Sequence, residues 1–165
     1  YRYDPSGDIH IMDAALSRPN GIAFSPDEKI LYVANSDPER AIWMAYDMDK
    51  ESGILSKKIF YDVTDLTASE KGLPDGLKVN DAWYLFATGP GGVFIFSPSG
   101  KHLGTIKTGQ ATSNVAFNND QTVLFITADS YVLRLELKWD FSWWKKQVLF
   151  ALYFLPCLQN VFPRL

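Results

Sequence analysis

Along the first 138 residues, short apolar runs alternate with turn-forming residues, a pattern that predicts strands rather than helices. Ile30-Leu31-Tyr32-Val33-Ala34 reads as a buried strand. Ile42-Trp43-Met44-Ala45-Tyr46 follows the turn signal Asp37-Pro38, and Lys58-Ile59-Phe60-Tyr61 follows Ser52-Gly53. Tyr84-Leu85-Phe86-Ala87 and Val93-Phe94-Ile95-Phe96 flank Gly89-Pro90-Gly91-Gly92, which reads as a hairpin turn. It is not a phosphate loop, because no Gly-Lys-Ser/Thr follows. Val123-Leu124-Phe125-Ile126 and Val132-Leu133-Arg134-Leu135 complete the set. No amphipathic helix is expected before residue 139. The loop Leu66 to Lys71 is the one stretch suited to a helical turn.

The runs repeat. Tyr3-Asp4-Pro5-Ser6-Gly7 matches Phe96-Ser97-Pro98-Ser99-Gly100, and Ala23-Phe24 through Leu31-Tyr32-Val33 matches Ala116-Phe117 through Leu124-Phe125-Ile126. Both matches have one offset, 93 residues (96 − 3 and 116 − 23). Two further related phrases, Pro19-Asn20-Gly21-Ile22-Ala23-Phe24 and Pro74-Asp75-Gly76-Leu77-Lys78-Val79, lie 55 residues apart (75 − 20). The 93-residue period therefore holds two unequal units, the longer carrying the Leu66 to Lys71 insertion. A unit of about 45 residues built from four short strands is a β-propeller blade. The expected fold is all-β: a partial propeller of about three four-stranded blades over residues 1–138, arranged as an arc.

From Trp139 the repeat stops, so residues 139–165 are expected to be a hydrophobic C-terminal extension. Its apolar run, Gln147 to Leu158, is about a dozen residues, whereas a bilayer span needs about 20. Two readings stand for this tail: an extension that packs on an open blade, or an interfacial helix that follows the basic pair Lys145-Lys146 and touches a membrane.

Composition narrows the partners. The net charge is −3 and charged residues make up 21%, so there is no basic stripe to neutralise phosphates, and nucleic acid is not an expected partner. The single cysteine, Cys157, cannot form an internal disulfide and leaves the compartment open. The chain begins at Tyr1, without a methionine or a signal-like segment, and is expected to be a fragment or a processed product.

The candidate chemistry lies in the two related phrases. Each sets an oxygen-bearing side chain between a proline and a glycine, just before an alternating strand, so that the oxygen is free to face a shared centre. The Asn20 amide and the Asp75 carboxylate would form half of an oxygen-ligand metal site. Asn-Gly and Asp-Gly are also ordinary turn pairs. His10 and His102 lack a metal-ligand partner at local spacing and read as surface or strand residues. Asn114 is a candidate channel-lining residue, yet its match in the earlier copy is Gly21 rather than Asn20. Asp129 reads as a turn residue.

Several stretches together resemble the gluconolactonase and senescence-marker-protein family, which is similar to luciferin-regenerating enzymes. They are Arg18-Pro19-Asn20-Gly21-Ile22-Ala23-Phe24-Ser25-Pro26-Asp27 with Leu31-Tyr32-Val33-Ala34, Gly72-Leu73-Pro74-Asp75-Gly76-Leu77-Lys78-Val79, Ala87-Thr88-Gly89-Pro90-Gly91-Gly92-Val93, and Ala111-Thr112-Ser113-Asn114-Val115-Ala116-Phe117. The resemblance covers about residues 1 to 138. It implies a six-bladed propeller with one divalent cation in its central channel, Asn20 and Asp75 as metal ligands, and a further ligand glutamate in a blade that precedes residue 1. Asn80-Asp81-Ala82-Trp83 departs from the family, whose members usually have Asp followed by a glycine-containing turn.

The resemblance implies metal-dependent hydrolysis of a sugar-type lactone such as gluconolactone. Opening a lactone needs a polarised carbonyl and a nucleophilic water, and one cation can serve both needs, with Asp75 as general base. Oxygen ligands favour Ca²⁺, with Mg²⁺, Mn²⁺ and Zn²⁺ also compatible. Without the upstream glutamate, the chain alone is expected to be a poor lactonase. The alternative is a non-catalytic propeller that binds a ligand or partner.

Overall fold

A computed structural model of the chain describes residues 1–138. The extension expected at residues 139–165 lies outside the described residues. Two strands, β1 (Arg2–Tyr3) and β2 (Ile9–His10), pair at the N-terminus. The strands β3 (Pro19–Phe24), β4 (Ile30–Asp37), β5 (Arg40–Asp49) and β6 (Gly53–Asp62) form a four-stranded sheet in sequence order. A second four-stranded sheet contains β7 (Leu77–Val79), β8 (Leu85–Gly89), β9 (Gly92–Phe96) and β10 (His102–Lys107). A three-stranded sheet contains β11 (Thr112–Phe117), β12 (Val123–Ala128) and β13 (Tyr131–Glu136). Every pairing is antiparallel. The innermost strands neighbour one another: β3 lies against β7, and β11 lies against β7 and β8. Sheets set side by side around shared inner strands make a partial β-propeller.

The strands are distributed differently from three blades of four. The 93-residue offset places Tyr3 to Gly7 on Phe96 to Gly100, the hairpin between β9 and β10. Thus β1 and β2 match the third and fourth strands of the middle sheet but form a separate two-stranded sheet, and the last sheet has three strands within the described residues. The helical turn also starts slightly earlier than expected, as a 3₁₀ turn at Thr64–Leu66.

The repeat is visible at the level of single hydrogen bonds. Ser25 N–H donates to the Ile30 carbonyl at 2.8 Å, and its equivalent, Asn118 N–H, donates to the Val123 carbonyl at 3.1 Å. Inside each loop one residue adopts a left-handed backbone: Glu28 at φ 59° and Gln121 at φ 56°, again 93 positions apart. The corresponding turn of the middle sheet does the same at Trp83, φ 70°, in the segment Asn80-Asp81-Ala82-Trp83, which holds no glycine. A non-glycine residue in this region costs about 1–2 kcal/mol, and the freedom that glycine adds to the unfolded chain takes back about 0.4–1 kcal/mol. Glu28 is exposed. Replacing Glu28 with glycine is therefore expected to raise stability by roughly 0.5–1 kcal/mol. The gain will appear as a higher urea midpoint at unchanged m value, whereas Glu28→Ala, which keeps its Cβ, will leave the midpoint in place.

The core lies between sheets. Trp43, fully buried, stands between the first and second four-stranded sheets, with ring centroids 5.2 Å from Phe94 and 5.9 Å from Phe96. Ala34, Leu77, Leu85 and Ala87 complete that layer. Phe86, Val93, Ile95, Val115, Leu124 and Ile126 fill the next, between the second sheet and the third. Alternate residues of β8 thus serve opposite layers, Phe86 one and Leu85 and Ala87 the other. This explains why β8 and β9 are buried along their whole length. With both faces of the middle sheet covered, the start of β7 is held firmly between its neighbours.

Candidate functional site

Three inner strands begin at the same end of the sheets. In the first sheet, Pro19 pairs with Asn35 but Ile22 pairs with Val33, so β3 carries one extra residue. The bulge falls on Asn20-Gly21, and a bulge lifts a side chain out of the regular pleat. The same shift recurs in the third sheet, where Thr112 pairs with Ala128 and Asn114 with Thr127. Asn20 and Ser113 therefore occupy one repeated position. In the middle sheet the related residue is Asp75, two places before β7.

These starts interlock. A Cβ placed on Gly21 would come within 1.9 Å of the Asp75 carbonyl oxygen, so the two backbones touch where no side chain fits. The Ser36 hydroxyl, at the end of β4, donates to the Pro74 carbonyl and accepts from Asn20 Nδ2, the latter at 3.1 Å. One step on, Gly76 N–H donates to the Ser113 carbonyl at 2.8 Å. A Cβ on Gly76 would lie 2.2 Å from Asn114 Oδ1, so that side chain rests on the glycine. Thr88 closes the arrangement from β8, its hydroxyl donating to the Gly76 carbonyl at 2.9 Å. The phrases that carry Asn20 and Asp75 thus meet directly, with Asn114 beside them.

Asp75 is half-buried. Burial pushes its carboxyl above the usual carboxylate range, and the Gly76 amide offsets this only in part. Among the described residues no Lys, Arg or His forms an ion pair with it. A desolvated carboxylate without a cationic partner is disfavoured, and a bound cation would relieve that. Asn20 is exposed, and with Nδ2 bonded to Ser36 its Oδ1 is left for another partner. The donor chemistry, one carboxylate oxygen and amide oxygens, fits a hard divalent cation. Among the described residues there is no group of three or more His, Cys, Asp or Glu that could hold a metal.

The remaining candidates lie elsewhere. His10 pairs with Asp4 at 3.0 Å on the N-terminal strand pair. His102 sits on β10 among the rings of Tyr61, Phe94 and Phe96. Asp129, at φ 52°, forms the tight turn between β12 and β13, and Gly89 to Gly92 turns β8 into β9. Ser36 carried no sequence signal, because its equivalent 93 positions on is Asp129, a turn residue of different chemistry.

Comparison with known proteins gives the family of the chain. Residues 1–130 match the family described as SMP-30/Gluconolactonase/LRE-like region. A gluconolactonase of Zymomonas mobilis is 38% identical over 142 residues, covering 84% of this chain and 40% of the relative. Among solved structures, a gluconolactonase of Xanthomonas campestris superposes with a TM-score of 0.71 at 33% identity, over 84% of this chain and 44% of that one. A calcium-binding protein, regucalcin, of Agrobacterium tumefaciens superposes with a TM-score of 0.60 at 25% identity, over 73% of this chain and 41% of that one. The chain spans about two fifths of the length of these relatives.

Proposed function

Because the chain belongs to the SMP-30/gluconolactonase/LRE-like family, we propose that it carries part of the active site of a cation-dependent lactonase whose substrate is a sugar-type lactone such as gluconolactone. The observation that carries the reading is the meeting of Asn20 and Asp75 through Gly21 and Ser36, with Asp75 half-buried and without an ion-pair partner among the described residues. Asn20 Oδ1 and the Asp75 carboxylate would hold the cation. Calcium is preferred because both donors are hard oxygens and a structural relative is calcium-binding; magnesium, manganese and zinc also accept such donors.

When bound, the cation supplies Lewis acidity at the lactone carbonyl. Asp75 is the general base. It takes a proton from the water that attacks the carbonyl carbon. As the ring C–O bond breaks, that proton passes to the departing ring oxygen, giving the open hydroxy acid and restoring Asp75. Asn20, Ser113 and Asn114 are exposed at this end of the inner strands, the side from which a lactone would approach.

A second reading is a propeller module that binds a ligand without turnover. It is favoured by the lack, among the described residues, of a group of three or more His, Cys, Asp or Glu that could hold a metal. A pH-stat assay with gluconolactone separates the two. The lactonase reading expects base uptake that rises with added Ca²⁺ and falls with a chelator, weak in this chain and strong in a chain of the relatives' full length. Chelator-insensitive hydrolysis would remove the cation from the mechanism. No hydrolysis at either length, with Ca²⁺ still bound, would leave the binding module.

A further inference from the structure

Asn20 faces a choice that an aspartate would not. Its amide ends in one acceptor and one donor group, and only Oδ1 can ligate a cation. A half-turn of the amide would point two N–H bonds at the metal. Ser36 stands behind Asn20 on β4, half-buried. Its hydroxyl proton goes to the Pro74 carbonyl, which can only accept. The hydroxyl lone pairs are what remain for Asn20, and they meet Nδ2 at 3.1 Å. The reversed amide would set Oδ1 against those lone pairs and lose the bond. One backbone carbonyl thereby fixes the direction of a hydroxyl, and the hydroxyl fixes the direction of an amide.

We infer that Ser36 is a positioning residue that selects the Asn20 rotamer with Oδ1 turned toward the cation site. Through the same oxygen it ties the turn bearing Asn20 to the turn bearing Asp75. A supporting group that orients a metal ligand changes affinity by about 10–100-fold when removed. This inference rests on the reading of Asn20 and Asp75 as ligands, and the test keeps the two apart.

The test is an NMR titration of the 165-residue chain with Ca²⁺, read at the side-chain amide of Asn20 and at backbone amides around Asp75. Ser36→Ala is expected to weaken Ca²⁺ binding about tenfold or more and to shift the Asn20 side-chain signals before any Ca²⁺ is added. Ser36→Thr keeps the hydroxyl and is expected to bind like the unsubstituted chain. Ser36→Cys, near in size but a poor hydrogen-bonding group, is expected to behave like Ser36→Ala and serves if alanine loosens the fold. In an Asn20→Asp background both side-chain oxygens can ligate, so no orientation is needed and Ser36→Ala is expected to have no further effect. Equal losses with and without the Asn20→Asp substitution would mean that Ser36 only holds the strands together, and would overturn the inference. If Asn20→Ala and Asp75→Asn weaken binding while Ser36→Ala does not, the inference alone falls. If the unsubstituted chain shows no Ca²⁺ response, or those two ligand variants bind normally, the ligand reading falls and takes this inference with it.

Discussion

In a chain of the relatives' full length, Asp75→Asn is expected to lower kcat/KM for gluconolactone by at least about a hundredfold. Asparagine keeps the shape and one oxygen donor but removes the charge and the proton acceptor. A cation's stabilisation of transition-state charge amounts to several kcal/mol, and each 1.36 kcal/mol is about tenfold in rate, so weakening its hold on the site and losing the base together exceed two powers of ten. The same substitution should act on stability in the opposite sense. Burial raises the Asp75 pKa in the fold. A raised pKa contributes stability that is complete below the unfolded value and is lost as pH rises through the folded one. At neutral pH without a cation, the charge is therefore a burden on the fold. Asp75→Asn should leave the metal-free melting temperature unchanged or higher, while abolishing the rise caused by Ca²⁺. An Asp75→Asn protein that retains hydrolysis would exclude Asp75 from the mechanism.

Gly21→Ala should damage both the fold and the site. A methyl group there would sit 1.9 Å from the Asp75 carbonyl oxygen, a backbone atom that cannot swing aside as a side chain can. Either β3 or the Pro74-Asp75-Gly76 turn must retreat. Overpacking of this kind costs about 1–3 kcal/mol, occasionally more, and contact with backbone places Gly21 at the upper end. Retreat also separates Asn20 from Asp75, so the surviving folded protein should bind Ca²⁺ weakly. Gly104→Ala is a fitting control, because a Cβ there meets nothing within 4 Å. Equal denaturation midpoints for the two variants would show that the close approach of β3 and the Asp75 turn is not required.

The propeller was readable because its period is written in turns and apolar runs. Pro19-Asn20-Gly21 and Pro74-Asp75-Gly76 stood out for the same reason, since a proline and a glycine around one polar residue describe local backbone. What the period could not supply was contact between repeats. Nothing in the sequence marks Ser36 as the atom that bridges Asn20 and Pro74, because the bond joins residues 38 positions apart on different sheets. Asn114 aligns with Gly21 rather than Asn20. That alignment holds, but alignment within one sheet does not reveal that its amide rests on Gly76 of the sheet beside it. Trp83 illustrates the converse: the missing glycine was visible in the sequence, and the left-handed turn was kept nonetheless. The Ser25 and Asn118 loops share that turn, and in all three the first residue, Ser25, Asn80 or Asn118, adds a side-chain oxygen that accepts a backbone N–H, so the turn is held by hydrogen bonds that need no glycine.

Asn20, Asp75 and Ser113 stand at one structural address, and each brings a different oxygen: an amide, a carboxylate and a hydroxyl. The hydroxyl of Ser113 is turned aside to Thr127, 2.8 Å away, so that address is occupied but not spent on the centre. The propeller thus offers interchangeable sockets around an axis, and the formal charge of the socket set can change in unit steps without altering a strand. Ser113→Asp would add one negative charge and Asp75→Asn would remove one. On the proposed reading of this site, single-codon changes at one position would retune which cation is preferred, and how tightly, with the surrounding scaffold already in place.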